Sequence, residues 1–418
     1  MSIQAISLTA ILIISLTVQF LLAAGFVRRL KRSRQPLVSD DAAPSVVVIL
    51  CLRGGDPFLE KCIDGLVTQD YPSFRVCFMI DSDQDPAAAI LRSTLNRYSF
   101  DNYDIKTLNN PLTTCSLKCS SLIQAIEGLD TSVQFVAFLD ADTVPHRTWL
   151  RELAAALVPE HIGAATGNRW YMPEHHTTGA MVRYLWNAAA VVQMYCYQIA
   201  WGGTLAIKID SIKRAGLLDR WRKSLCEDTM LRKQLASIGQ QVTFVPSLMM
   251  VNREVCTLGS FVEWVQRQLL TARLYHPLWI AVAGHGLSTA VLLIWGWLVA
   301  FLSLLNGDWS SGIVLALTLL GYRAGMLFMA PWMEAAVARV VRERGESTEW
   351  QTELTWSRLA WLVFLTQWVY TWALVRCLFI RGVNWRGISY RVHGPWNIQM
   401  LGYRHFSAGV CDESNHSL

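Results

Sequence analysis

Charge is what this chain has least of. Only 17% of its 418 residues are Asp, Glu, Lys or Arg, against ~25% in ordinary soluble domains, whereas 52% are hydrophobic and 18 are Trp. The formal net charge of +5 is modest and implies no nucleic acid partner. Nor do the 10 cysteines form a framework. They are scattered, and Cys115 and Cys119 have no second pair at zinc-finger spacing. Reduced, mostly buried thiols in a cytoplasmic compartment are expected. Residues 5–27 carry no charge at all, and that length can cross a hydrocarbon core of ~30 Å. A cleavable signal peptide would have its basic residues in front and a small-residue cleavage site behind. Here RRLKRSR at 28–34 lies behind the apolar run. The pattern is that of a signal anchor, with the N-terminus outside and residue 28 onward in the cytoplasm.

From about 46 to 260 the pattern becomes α/β. VVVILCL (46–52), FRVCFMI (74–80), YDIKTLN (103–109) and FVAFL (135–139) read as strands. They alternate with helical stretches after 59, at 87–98 and at 119–129. Such alternation predicts βαβ units and a mostly parallel sheet. Beyond 260 the composition shifts. SFVEWVQRQLLTARLY (260–275) is amphipathic, and apolar stretches at 278–305 and 310–333 flank the turn signal Asn306-Gly307-Asp308. A basic, polar loop (339–353) then precedes a Trp-rich segment at 355–380. The expected division is an anchor with its basic stop (1–34), a catalytic domain (35–259), an interfacial helix (260–276), membrane helices (277–380) and a tail (381–418). Arg323, inside a span, should pair or face protein. Three spans after the anchor would leave the tail outside, yet Arg381, Arg386 and Arg391 favour the inside. Either the tail is outside, or the last apolar segment is re-entrant or lies at the interface.

The chemistry concentrates on carboxylates. In VAFLDADTVP (136–145), Asp140 and Asp142 leave a strand at the edge where open α/β sheets bind ligands; a turn or helix cap would use the same residue type. Paired carboxylates suit Mg2+ or Mn2+, which orients a nucleotide diphosphate and offsets charge on the leaving group. Asp81 ends the second strand, where it could meet a nucleoside or simply make a turn. Lys118 could neutralise phosphate. Glu227-Asp228 stands at an expected helix start, where acidic residues are stabilising in any case; as function, Asp228 would take the proton from an acceptor hydroxyl. Gly202-Gly203 would allow close approach of a sugar or acceptor, or form a plain turn.

The order of these features resembles the inverting GT-A glycosyltransferases of the family 2-like type. The closer resemblance is to ceramide glucosyltransferases and their bacterial lipid-glycosylating relatives. It is carried by PSVVVILCLRGGDPFLEKCIDGLVTQDYPSFRVCF (44–78), by Asp-Pro-Ala at 85–87, and by Trp385-Arg386 through Tyr390-Arg391. The resemblance implies a GT-A catalytic domain in which Asp81 contacts the nucleoside, Asp140 and Asp142 hold metal and diphosphate, and Asp228 is the base. Arg53, Lys118, Gly202, Gly203 and Arg267 are expected on the donor side. The motif Gln/Arg-x-x-Arg-Trp of the interfacial helix falls at 267–271, where this chain keeps Arg267 but has Leu270-Thr271 for Arg-Trp; Arg273 is a candidate replacement. The implied activity is transfer of a hexose from a UDP-sugar, UDP-glucose first among them. The acceptor would be the hydroxyl of a membrane lipid such as ceramide or diacylglycerol, at the cytoplasmic face. A processive polysaccharide synthase would need more spans and an intact Arg-Trp. An inactive scaffold would have no need of the retained aspartates.

Overall fold

The computed structural model describes residues 2–32, 36–348 and 355–406. Cys411, the end of the basic cluster at 33–34, the 349–354 part of the expected loop and the tail beyond 406 lie outside the described residues. Helix α1 (Ile3–Lys31) leads to β1 (Val46–Leu52), α2 (Leu59–Val67), β2 (Phe74–Ile80), α3 (Pro86–Leu95), β3 (Tyr103–Thr107), α4 (Leu117–Glu127) and β4 (Phe135–Leu139). Then come α5 (Trp149–Leu157), β5 (Ile162–Tyr171), α6 (Thr178–Tyr197) and β6 (Thr204–Lys208). Three short helices, α7 (Ile209–Arg214), α8 (Leu217–Trp221) and α9 (Leu231–Ala236), precede β7 (Gln241–Asn252). The seven strands lie in the order β3-β2-β1-β4-β6-β5-β7, and only β6 runs against its neighbours β4 and β5.

This is the mostly parallel α/β sheet that the alternation predicts. Its strands read as continuous apolar runs because both faces are covered. Val46, Val48 and Leu50 of β1 enter one core with Phe135, Ala137 and Leu139 of β4. Val47 and Ile49 turn to the other face, with Val136 and Phe138. Each such side chain contributes ~1.5–3 kcal/mol on burial. The second core does not stop at the domain. It runs on through Phe26, Val27 and Leu30 of α1 into the helices that follow the sheet.

Those helices are α10 (Leu258–Tyr275), α11 (Trp279–Leu305), α12 (Trp309–Glu343) and α13 (Trp356–Phe379). Among the described residues four helices, α1, α11, α12 and α13, are long and apolar enough to cross a membrane. Helix α12 runs ten residues past the expected stretch. Its extension buries Ala336, Val337, Val340 and Val341, while Glu334 accepts from Trp170 Nε1 at 2.6 Å. Arg344, just beyond, donates to the Ser247 and Met249 carbonyls. What reads as a basic loop is therefore, up to Glu343, a helical buttress against β5 and β7. Arg323 is half-buried with its guanidinium over the Phe364 ring.

Helix α13 is tied to other elements at both ends. Near its start Arg358 donates to the His176 carbonyl at 2.6 Å, and at its end Arg273 of α10 donates to the carbonyls of Cys377 and Ile380. Between them Trp361, Phe364, Trp368 and Trp372 form an exposed stripe. The tail after α13 returns to the domain as a three-stranded antiparallel sheet, β8 (Gly382–Trp385), β9 (Ile388–Gly394) and β10 (Asn397–Leu401). It docks through Met400 N on the Thr113 carbonyl and through Tyr390 Oη, which accepts from Leu117 N. Arg273, spent on capping α13, does not replace the missing Arg.

Candidate active site

The sheet's C-terminal edge gathers most of the expected residues. Asp140 and Asp142 follow β4, and the Asp140 carbonyl accepts from Thr143 N. They form a turn, not a helix cap, since α5 begins only at Trp149. Lys118, expected before a helix, is the second residue of α4, whose start is capped by Ser116 accepting from Cys119 N. That geometry sends its ammonium between two carboxylates, 2.6 Å from Asp140 and 2.7 Å from Glu227. Glu227 and Asp228 lie four and three residues ahead of α9 rather than at its first turn.

Asp228 is half-buried. One carboxylate oxygen accepts from Gly202 N at 2.9 Å and the other from the Thr229 hydroxyl at 2.9 Å. The close approach that the two glycines permit is to protein. A Cβ on Gly202 would sit 2.0 Å from Glu227 Oε1, and one on Gly203 would sit 2.1 Å from the Trp201 ring.

Electrostatics separate the paired aspartates. Burial pushes the Asp140 carboxyl up, but Lys118, with Arg169 and Arg386 farther off, outweighs it and holds the group below the usual range. Asp142 has weaker help. Arg169 is 3.9 Å away and Asn252 Nδ2 3.4 Å, and burial, reinforced by Asp140 and Asp56, carries its carboxyl up to about 7. Glu227 is likewise raised to about 7 by burial, against the pull of Lys118. Asp142 is short of positive charge, which a divalent cation would supply, so the pair fits such an ion. Among the described residues no group of three or more His, Cys, Asp or Glu could hold it. Its remaining ligands would have to be substrate oxygens and water, as is common for Mg2+.

Sequence reasoning passes over two arginines here. Arg169, on β5, stacks over Trp201 and Trp264 at 4.6 and 5.3 Å. Arg386 occupies the two-residue turn between β8 and β9 with φ 48°, and Gly387 follows at φ 74°, the pairing a tight hairpin requires. Its guanidinium reaches the Arg53 carbonyl and Asp56, both at 3.0 Å. Arg267 stacks on Trp385 at 4.8 Å. Burial, with Arg386 and Arg169 nearby, lowers it to about 10.

Asp81 is buried, and both its oxygens are taken. Arg53 pairs with it, Tyr403 Oη donates at 2.8 Å and Phe406 N at 2.7 Å. The only advance signal of this was the family-like Trp-Arg motif in the tail. The sequence does not reveal that the residues after it fold back onto Asp81.

These groups line a cavity of about 160 Å3 bounded by Asp81, Lys118, Asp140, Asp142, Arg267 and Arg386. A second, mostly apolar cavity of about 300 Å3 opens among α1, α6, α11, α12 and α13. The two share a wall made of Arg169, Trp201, Trp264, Gln268, Thr271 and Asp228. A constellation of this kind can hold a charged donor on one side of a carboxylate and an apolar molecule on the other.

A ceramide glucosyltransferase of Komagataella phaffii is 28% identical over 97 residues, a stretch that covers 22% of this chain and 19% of that protein. A mannosyltransferase from Pyrobaculum calidifontis, solved with GDP-Man and Mn2+, is similar over 89% of this chain and 96% of its own, at 16% identity and a TM-score of 0.46. Glucosyl-3-phosphoglycerate synthase from Mycobacterium tuberculosis, solved with phosphoglyceric acid, covers 58% of this chain and 85% of its own, at 14% identity and a TM-score of 0.39. The model of glycosyl transferase family 21 matches residues 6–397, from the first helix to the start of the last strand, and the chain belongs to that family.

Proposed function

We propose that the protein is a membrane-bound inverting transferase that moves a hexose from a UDP-sugar, UDP-glucose first among them, to the hydroxyl of a membrane lipid such as ceramide or diacylglycerol. The observation that carries this reading is the meeting of the two cavities at Asp228. The charged cavity suits a nucleotide diphosphate, and the apolar one, walled by helices of membrane length, suits a lipid whose headgroup must reach a carboxylate.

In the step itself Asp228 takes the acceptor's proton as its oxygen attacks the anomeric carbon. The bond to the diphosphate breaks on the opposite face, and UDP leaves. Lys118, Arg267 and Arg386 face the position where negative charge grows on the leaving group, the kind of preorganised stabilisation that contributes most in a water-poor site. A divalent cation at Asp140 and Asp142 would add Lewis-acid charge to the diphosphate. The basic last turn of α1, with Arg28, Arg29 and Lys31, argues for a cytoplasmic domain.

The test is expression in a host that lacks glycolipids, followed by lipid extraction with labelled UDP-glucose, UDP-galactose and UDP-N-acetylglucosamine supplied in turn. One labelled lipid monoglycoside is expected. Polymer, or no labelled lipid with any donor, would overturn the reading.

A further inference from the structure

The cavity among the helices is not uniformly apolar. The ring of His285, on α11, lies between two glutamines from different helices. Gln19 Nε2 of α1 is 3.2 Å from its Nε2, and Gln193 Nε2 of α6 is 3.1 Å from its Nδ1. Gln19 also donates to Tyr322 Oη of α12 at 2.9 Å. All four side chains line the cavity, and His285 is exposed within it.

This cluster is more than is needed to join helices. The bundle around it is already closed by apolar packing of Leu12, Leu315 and Leu319 and by Gly286, which seats Tyr370 and Leu374. Interhelical hydrogen bonds in membranes add little on average, whereas polar groups at that depth mark substrate paths. A neutral imidazole has one N–H and one bare nitrogen, so it cannot accept from both amides; one glutamine must turn its oxygen to the ring. Two amides and a ring with unequal faces leave donors and acceptors to spare, and no member carries a fixed charge.

We propose that this cluster recognises a second, uncharged hydrogen-bonding group on the acceptor lipid: a hydroxyl, amide or ester carbonyl lying deeper than the hydroxyl that is glycosylated. The inference rests on the lipid-transferase reading above and adds to it how acceptors are told apart.

The test uses the full chain in phosphatidylcholine nanodiscs with UDP-glucose. Three acceptors are compared: a C16 ceramide, dioleoylglycerol and oleyl alcohol, which has a hydroxyl and nothing polar beneath it. Wild type is expected to favour at least one of the first two over oleyl alcohol by about tenfold in kcat/KM, the worth of roughly one hydrogen bond. His285→Leu and Gln193→Leu are each expected to shrink that ratio several-fold, with His285→Asn restoring part of it and the affinity for UDP unchanged throughout. A purely structural cluster would leave the ratio unmoved. A ratio retained in both leucine variants, or oleyl alcohol as the best wild-type acceptor, overturns the inference alone. No product from any of the three lipids overturns the lipid-transferase reading together with it.

Discussion

Replacing Asp228 with Asn alters the chemistry of one group and little of its surroundings. The carboxylate accepts two hydrogen bonds at 2.9 Å, from Gly202 N and from the Thr229 hydroxyl. An asparagine can keep both: its oxygen faces Gly202 N–H, and its amide donates to Thr229, whose hydroxyl is free to donate to Cys226 Sγ at 2.9 Å. The fold loses only the difference between a charged and a neutral acceptor, roughly 1 kcal/mol. The reaction loses its proton acceptor, worth ~10²–10⁴ in rate, or ~3–5.5 kcal/mol of barrier at 1.36 kcal/mol per tenfold. The two quantities differ enough to be separated. Melting should shift by a few degrees, UDP affinity in the presence of Mn2+ should stay level, and kcat in nanodiscs should fall at least a hundredfold. A variant within tenfold of wild-type kcat, or one whose activity falls only in step with UDP affinity, would refute the assignment of Asp228 as the base.

Gly202→Ala places a methyl group against Glu227, which Lys118 holds in place. Overpacking of this kind costs ~1–3 kcal/mol, so a lower melting temperature is expected, and an unshifted one would mean that the site relaxes freely. Removal of residues 402–418 frees both Asp81 oxygens from Tyr403 and Phe406. UDP should then bind several-fold tighter in equilibrium dialysis, whereas weaker binding would make this segment a wall of the nucleoside site. His276, buried between α10 and α11, is lowered from 6.5 to about 4 by burial, with Arg232 acting the same way. The unfolded chain takes up a proton below pH 6.5 while the folded chain stays neutral until about 4. Stability should therefore fall as pH drops across that window. His276→Gln should flatten the profile in denaturant titrations between pH 7 and 4.

The strands β1, β2 and β4 were legible to the residue because a parallel strand covered on both faces is an uninterrupted apolar run. The same logic made Asp81, Asp140 and Asp142 visible, since a carboxylate at the end of such a run has no core to enter. Helix α12 was cut short in the sequence because Glu334, Arg339 and Arg342 resemble a solvated loop; the stripe Ala336, Val337, Val340 and Val341, at helical spacing, was the signal of its extension. Arg169 and Arg386 were not legible as site residues, for an arginine on a strand or in a turn ordinarily needs only water. What converts them is tertiary. Arg169 faces Trp201 and Trp264 from two other segments, and Arg386 returns from more than 300 positions away to meet Arg53 and Asp56. The tail's hairpin was not read from the sequence, which offered only the family-like Trp385-Arg386 through Tyr390-Arg391. The last apolar segment was readable as a helix of membrane length, but its ties, Arg358 to the His176 carbonyl and Arg273 to the Cys377 and Ile380 carbonyls, were not.

The core beneath the sheet is shared with the membrane helices, from Phe26 on α1 to Leu374 on α13, and this limits how the molecule can move. An enzyme with a catalytic domain on a tether can lift away and search solution. This one cannot, because separating sheet from helices would open an apolar face to water. Its reach is therefore two-dimensional. On the lipid-acceptor reading proposed above, the acceptor would arrive by lateral diffusion in the membrane, and the rate of encounter would be set by the fluidity and composition of that membrane rather than by bulk concentration. For the same reason a detergent that loosens the helices should also weaken the donor site.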